Sequence, residues 1–264
     1  MSKVCIITGG TSGIGLATAR AMHDAGYRVY ELSRREAGTD CAVHIQADVT
    51  KEDTLRAAVD FVLAQEDHID VVINNAGFGI SGAVEFTDTA DAIRQLDVNF
   101  FGMVRMNHVV LPILRKQGYG RIVNLSSVAG SIPIPFQTYY SASKAAINSY
   151  TMATANEVRP FGVQVCCVQP GDIRTGFTAA RRKDSEGDDI YGGRISRSVA
   201  RMEHDEQTGM DPAKAGAYIA KVALRERSHH PLYAIRADYK FFVFLSKILP
   251  AQALNRLIYA IYAK

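Results

Sequence analysis

Thr8-Gly9-Gly10-Thr11-Ser12-Gly13-Ile14-Gly15 follows a short apolar run at residues 4–7 and opens directly into a run with helical periodicity. Glycines here let the chain turn tightly and pass close to a phosphate. Free N–H groups at the start of the following helix then meet the negative charge. Random placement of this composition yields T-G-x-x-x-G-x-G about 0.007 times per chain, so chance does not account for it. Strand, glycine-rich turn and helix in that order predict a dinucleotide-binding unit.

Further out, apolar β-rich runs at residues 28–32, 43–46, 71–74, 121–125 and 163–168 alternate with amphipathic runs, and a last strand is read at 232–235. This alternation predicts an α/β, doubly wound Rossmann fold, a central parallel sheet of about seven strands with helices on both faces. Helices are expected from an N-cap at Thr50 to about Gln65, over 89–116 with a bend at Pro112, over about 139–159, and from Pro212 to about Leu224. Between residues 172 and 210 the periodicity fails and Gly, Asp, Arg and Ser dominate, which reads as a substrate lid. An apolar C-terminal extension covers about 236–264. With 264 residues and no repeat or linker, the chain fits one domain, since single cores grow to about 250–300 residues before chains split.

Composition excludes other classes. Thirty basic against 27 acidic residues give a charge of +3 spread along the chain, so no nucleic-acid partner is expected. No zinc-finger spacing, H-E-x-x-H or Cys/His cluster occurs, so no metal is expected, and the G-x-S-x-G hydrolase elbow is missing. Cys5, Cys41, Cys166 and Cys167 contain no C-x-x-C; they read as packed free thiols in a reducing compartment. The chain enters its first strand at Lys3 without a charged-then-apolar leader, and no apolar stretch reaches about 18 residues. A cytoplasmic protein without a membrane span is expected.

Asn74-Asn75-Ala76-Gly77 follows the fourth strand, where the carboxyl ends of parallel strands line a ligand crevice. Tyr140 and Lys144 stand four apart on an expected helix and share a face. Tyr139 has Ser143 four residues on, which leaves Tyr140 as the paired phenol. Ser127 follows the strand at 121–125, and its hydroxyl can point into the same crevice. Moving a phenol pKa from about 10 to about 7 requires roughly 4 kcal/mol, and a cation about 4 Å away at an effective dielectric near 20 supplies about that much, so Lys144 with an oxidised nicotinamide ring is a sufficient cause. The second strand ends in Ser33-Arg34-Arg35. An acid at the Ser33 place would bind both ribose hydroxyls and repel a 2′-phosphate. With Ser33 there, and Arg34 and Arg35 able to meet the phosphate, NADP(H) is expected over NAD(H). Glu31, two residues earlier on the same strand face, argues the other way.

Together these motifs resemble the short-chain dehydrogenase/reductase family in its single-domain branch, densely over residues 3–175. The resemblance implies that Gly9, Thr11, Ser12, Gly13, Ile14 and Gly15 cradle the cofactor phosphates, with Ser33, Arg34 and Arg35 at the adenosine end and Asp48 and Val49 beside the adenine. Asn75, Ala76 and Gly77 would follow along the cleft, with Pro170, Gly171, Ile173 and Thr175 around the carboxamide. It further implies a catalytic set of Asn99, Ser127, Tyr140 and Lys144. Tyr140 would exchange the proton on the substrate oxygen while Ser127 orients that oxygen. Lys144 would hold the nicotinamide ribose, and Asn99 would complete a relay through water to Lys144. The implied reaction is hydride transfer between the nicotinamide and a secondary alcohol or ketone carbon, in a homodimer or homotetramer.

The apolar tail resembles hydroxysteroid and retinol dehydrogenase-like members, which implies a bulky apolar substrate, steroid-like in size. Phe177 and Tyr191 of the lid would close over it, with Phe136 and Tyr139 as the opposite wall, although Phe136 reads equally as a core residue. The alternatives are a carrier-protein-linked 3-ketoacyl reductase, for which Arg181-Arg182-Lys183 would hold an anionic carrier, and a non-catalytic NADP(H)-binding sensor. The tail itself reads equally as a helix pair packed on the core, a contact to a partner subunit, or a substrate- or membrane-surface element. Arg94, His229-His230 and Cys166-Cys167 read as surface or packing residues.

Overall fold

The computed structural model describes residues 2–226 and 230–264; His229 lies outside them. The chain runs through β1 (Lys3–Thr8), α1 (Gly13–Asp24), β2 (Tyr27–Ser33), β3 (Val43–Gln46), α2 (Glu52–Glu66), β4 (Val71–Asn74), the two-residue β5 (Ile80–Ser81), α3 (Thr89–Leu96) and α4 (Gly102–Gln117). Then come β6 (Gly120–Leu125), α5 (Thr138–Glu157), β7 (Val163–Gln169), the one-turn α6 (Phe177–Ala180), β8 (Arg182–Lys183), α7 (Arg194–Gln207), α8 (Pro212–Ala223), β9 (Leu232–Ala234), α9 (Ala237–Ile248) and α10 (Ala251–Tyr262).

Successive β1 side chains point to opposite faces, and both faces are apolar. Cys5 and Ile7 pack with Met22 of α1 and Ile219 of α8, whereas Val4 and Ile6 pack with Leu55 of α2 and Met106 of α4. A strand buried on both faces belongs in a parallel sheet covered by helices on either side. Seven strands form that sheet in the order β3-β2-β1-β4-β6-β7-β9, and every pair is parallel. The chain leaves β1 toward β2 and β3 and returns to β4 on its other side. The carboxyl ends of β1 and β4 are therefore the switch point where a crevice opens.

Several local expectations change. Thr50 does not cap α2: its N–H and hydroxyl both donate to Asp48 Oδ1 at 2.9 Å, and the helix starts at Glu52. The long helix read over 89–116 is two helices. Its break is a π-turn at residues 97–101, while α4 continues past Pro112. One extra residue in a turn leaves little trace in a 3.6-residue pattern.

The segment read as an irregular lid is largely folded. Its helix α7 buries only Ile195, Ser198 and Met202 beneath a charged surface, too narrow a stripe to register as periodicity. β8 pairs with β5, while Arg182 and Lys183 form ion pairs with Asp91 and Glu203. The C-terminal extension is the helix pair α9 and α10, and no helix among the described residues is long and apolar enough to cross a membrane.

Candidate active site

At the switch point the glycine-rich turn is stitched to the end of β4. Thr8 Oγ1 accepts from the backbone N–H groups of Asn75 and Ala76, each at 3.1 Å, and Asn75 Nδ2 donates to Gly9 O at 2.9 Å. Gly9 and Gly13 hold φ of 68° and 55°, left-handed values that favour glycine. Ser12 makes no side-chain cap to α1, and the first turn contains no acid. The positive end of this helix thus keeps its capacity for an anion.

Every residue expected to touch the cofactor lines one cleft of about 940 Å³, and Ser127, Tyr140 and Lys144 line it too. A pyrophosphate fits at the α1 terminus and an adenosine between Arg34, Asp48 and Val49, which meets the donor chemistry of a dinucleotide. Burial raises the Asp48 carboxyl, but bonds from Thr50 and the nearby Arg34 and Lys51 outweigh it and hold the carboxyl below its usual range.

Glu31 is fully buried beneath the glycine-rich turn, where Oε1 accepts from the Gly10 N–H at 3.0 Å. His44 Nδ1 lies 2.7 Å from Glu31 Oε2, and its Nε2 lies 2.9 Å from the Arg35 carbonyl. A carbonyl only accepts, so Nε2 carries a hydrogen. Nδ1 faces the buried carboxylate, so the two side chains hold each other in place. Ser33 Oγ contacts the same carboxylate at 3.4 Å.

Tyr140 and Lys144 are brought together by one turn of α5, with Lys144 Nζ 5.6 Å from the Tyr140 ring centroid. The ammonium does not sit against the phenol, however; it donates to Leu125 O at 2.8 Å. Among the groups of the chain itself, Lys144 is thus not one that lowers the Tyr140 pKa. Burial raises the Tyr140 pKa to about 12, against lowering by the Ser127 hydroxyl and Arg181 and further raising by Glu206 and Asp172. Burial likewise lowers Lys144 to about 8. Desolvation is the largest cause at both groups.

Asn99 sits in the π-turn just behind the cleft. Its Oδ1 accepts from the Phe78 N–H at 2.9 Å, and its Nδ2 donates to Phe78 O at 3.0 Å and to Ser143 Oγ at 3.2 Å. Ser143 in turn donates to Tyr140 O at 2.7 Å, so Asn99 braces the backbone on both sides. Arg94, read as a surface residue, also lines the cleft, with its guanidinium 5.6 Å from the Phe78 ring centroid.

Beyond Tyr140 the cleft becomes apolar. The Phe177 ring lies 5.9 Å from that of Tyr140. Tyr191 does not reach the cleft: it packs edge-on against Phe136 at 5.8 Å and donates to Glu85. Phe136 belongs to that small core with Ala83 and Ile195, and the opposite wall is Ile132, Ile134 and Gln137 in place of Phe136 and Tyr139.

Sequence reasoning missed Asp172 and Glu206, carboxylates that line the cleft and face Tyr140, and Leu245, Leu254 and Ile258 of the tail. Tyr239 of α9 packs so close over Gly171 that a Cβ there would meet its ring at 2.2 Å, and its hydroxyl bonds to the Asp172 carboxylate. Burial is the main cause that raises the Asp172 pKa, with Asp205 and Glu206 adding to it. Arg181, Arg182 and Lys183 thus all have carboxylate partners, since Arg181 pairs with Glu206.

The family model for short chain dehydrogenase matches residues 3–186. A 3-ketodihydrosphingosine reductase of Bacteroides thetaiotaomicron is 40% identical over 227 residues, 85% of this chain and 84% of that one. An L-fucose dehydrogenase of Mus musculus is 34% identical over 84% of this chain and 83% of its own. A crystal structure of a short-chain dehydrogenase from Streptomyces avermitilis superposes with a TM-score of 0.81 at 31% identity, covering 97% of this chain and 93% of that one. With its parallel sheet and glycine-rich switch point, this chain belongs to the short-chain dehydrogenase/reductase family, as an NAD(P)(H)-dependent oxidoreductase acting on CH–OH and C=O groups.

Proposed function

We propose that the protein uses NADPH to reduce a long-chain ketone bearing an ammonium group next to the carbonyl, of the kind 3-ketodihydrosphingosine represents. The observation that carries this reading is the division of the cleft: two carboxylates, Asp172 and Glu206, stand at the Tyr140 end, and an apolar chamber walled by Leu245, Leu254 and Ile258 lies beyond. A cation beside Asp172 would relieve a carboxylate that burial disfavours. A steroid-sized alcohol or ketone would use the same chamber but bring no cation to Asp172. A carrier-linked 3-ketoacyl substrate would need Arg181, Arg182 and Lys183 free, and all three are paired.

Bound NADPH supplies the hydride to the carbonyl carbon. Tyr140, kept protonated at neutral pH by its pKa of about 12, donates the proton to the carbonyl oxygen. Ser127 faces that phenol and hydrogen-bonds the same oxygen. Lys144 would hold the nicotinamide ribose, and Asn99 fixes the Phe78 peptide that borders the site. NADP(H) over NAD(H) is supported by the exposed Arg34 and Arg35 at the end of β2 and by the Glu31 carboxylate, which is turned under the glycine-rich turn onto the Gly10 N–H and His44.

The test compares kcat/KM for 3-ketodihydrosphingosine, its N-acetyl derivative and a steroid ketone with NADPH. Charged hydrogen bonds contribute roughly 1.5–3 kcal/mol, so the free amine should be favoured by about tenfold or more. A steroid preferred by about a hundredfold overturns the substrate class.

A further inference from the structure

Of the seventeen large apolar side chains exposed among the described residues, seven fall between Phe241 and Ile261 of α9 and α10. Three of them, Phe241, Phe244 and Ile248, are 58%, 56% and 58% exposed and recur at helical spacing, so they form one outward stripe that does not line the cleft. Others, Phe242, Leu257 and Ile261, are 41%, 40% and 43% exposed and yet line the cleft. Side chains that do both mark a mouth, and its rim is apolar.

Charge selects what covers this face. Residues 237–264 carry Lys240, Lys247, Arg256 and Lys264 against Asp238 alone, and Asp238 is bonded to Arg236. Lys240 leans over the Tyr218 ring, while Lys247, Arg256 and Lys264 are exposed and form no ion pair among the described residues. Exposed aromatics rimmed by unpaired cations on short amphipathic helices suit the interface of an anionic lipid bilayer, where rings enter the acyl boundary and ammonium groups meet phosphates.

We infer that α9 and α10 dock the protein on an anionic membrane surface, with the mouth of the cleft against the bilayer. A substrate with a long alkyl chain then passes from lipid into the chamber without crossing water. Docking itself is independent of the proposed reaction; only the identity of what enters rests on that reading.

The experiment is co-sedimentation of the full chain with phosphatidylcholine vesicles, with and without about a third phosphatidylglycerol, in the absence of substrate. Each cation near an anionic surface contributes about fivefold, so the anionic vesicles should bind at least about tenfold tighter. The triple substitution Phe241→Ser, Phe244→Ser, Ile248→Ser should cut binding by at least about tenfold. It should leave turnover of a short, water-soluble ketone unchanged, which also reports that the variant folds. Lys247→Glu with Arg256→Glu should lose the preference for anionic vesicles.

Wild-type protein that binds neither vesicle, or a serine variant that binds as well as wild type, overturns the docking. So does a wild-type dimer that ignores vesicles and dissociates on the serine substitutions, which would assign the face to a second copy. Vesicle binding without reduction of the long-chain amino ketone would leave docking in place and refute the substrate reading; reduction without vesicle binding would do the reverse.

Discussion

Replacing Lys144 with Met should stabilise the cofactor-free protein while abolishing turnover. Lys144 is 5% exposed, and burial draws its pKa from 10.5 down to about 8. Below pH 8 the amine is charged in folded and unfolded chains alike, and the folded state bears the full cost of burying it. As pH rises from 8 to 10.5 the folded state gives up its proton first, and the cost fades. At about 1.4 kcal/mol per pH unit, that cost is about 3 kcal/mol at pH 7. Methionine avoids it but forfeits the bond to Leu125 O, about 1 kcal/mol net. The variant should therefore be about 2 kcal/mol more stable than wild type at pH 7 and about 1 kcal/mol less stable near pH 10.5. Urea unfolding of both proteins at both pH values reads this directly. A difference that does not change with pH, or a variant less stable at pH 7, would refute the argument that Lys144 is held at a cost to the fold for its place beside Tyr140.

Tyr140→Phe should lower turnover by about a hundredfold or more with NADPH affinity unchanged, measured by steady-state assay and cofactor fluorescence; equal turnover would remove Tyr140 from its role. Arg34→Ala should weaken NADPH by about tenfold and leave NADH nearly unaffected, and a parallel loss of both cofactors would mean that this arginine does not meet the 2′-phosphate. His44→Leu leaves Glu31 buried without its partner, so it should cost about 3 kcal/mol of stability and weaken NADPH more than NADH. Adding Glu31→Gln should recover most of that loss; if the double variant is no better than the single, charge at Glu31 is not the cause. Asp172→Asn should erase the preference for the free amine over the N-acetyl ketone, while an unchanged ratio of kcat/KM would place the ammonium elsewhere.

The parallel sheet and the cofactor cleft were legible in the sequence because their signals are local. Thr8 to Gly15 and Asn74 to Gly77 hold their geometry within a few residues. Strands buried on both faces also show as continuous apolar runs, as at residues 71–74 and 163–168. Tyr140 and Lys144 sit one helical turn apart, so spacing alone aligned them. Their ionisation was not legible, because desolvation depends on everything packed around α5, and it reversed the expected direction at Tyr140.

The second half of the site belongs to the tertiary structure. α7 carries Glu206 on a mostly charged helix whose core stripe is three residues wide, and Tyr239 arrives at Gly171 from 68 positions away. Strand alternation put Glu31 on the Ser33 face, but only the fold turned its carboxylate onto the Gly10 N–H and His44 of the neighbouring strand β3. The sequence by itself determined the phosphate cradle, the strand pattern and the phenol–lysine pair, since each rests on neighbours in the chain. Only the fold decided which carboxylates face the phenol, how the lid cations are neutralised and that the apolar tail walls the cleft, since those contacts join residues that no local spacing connects.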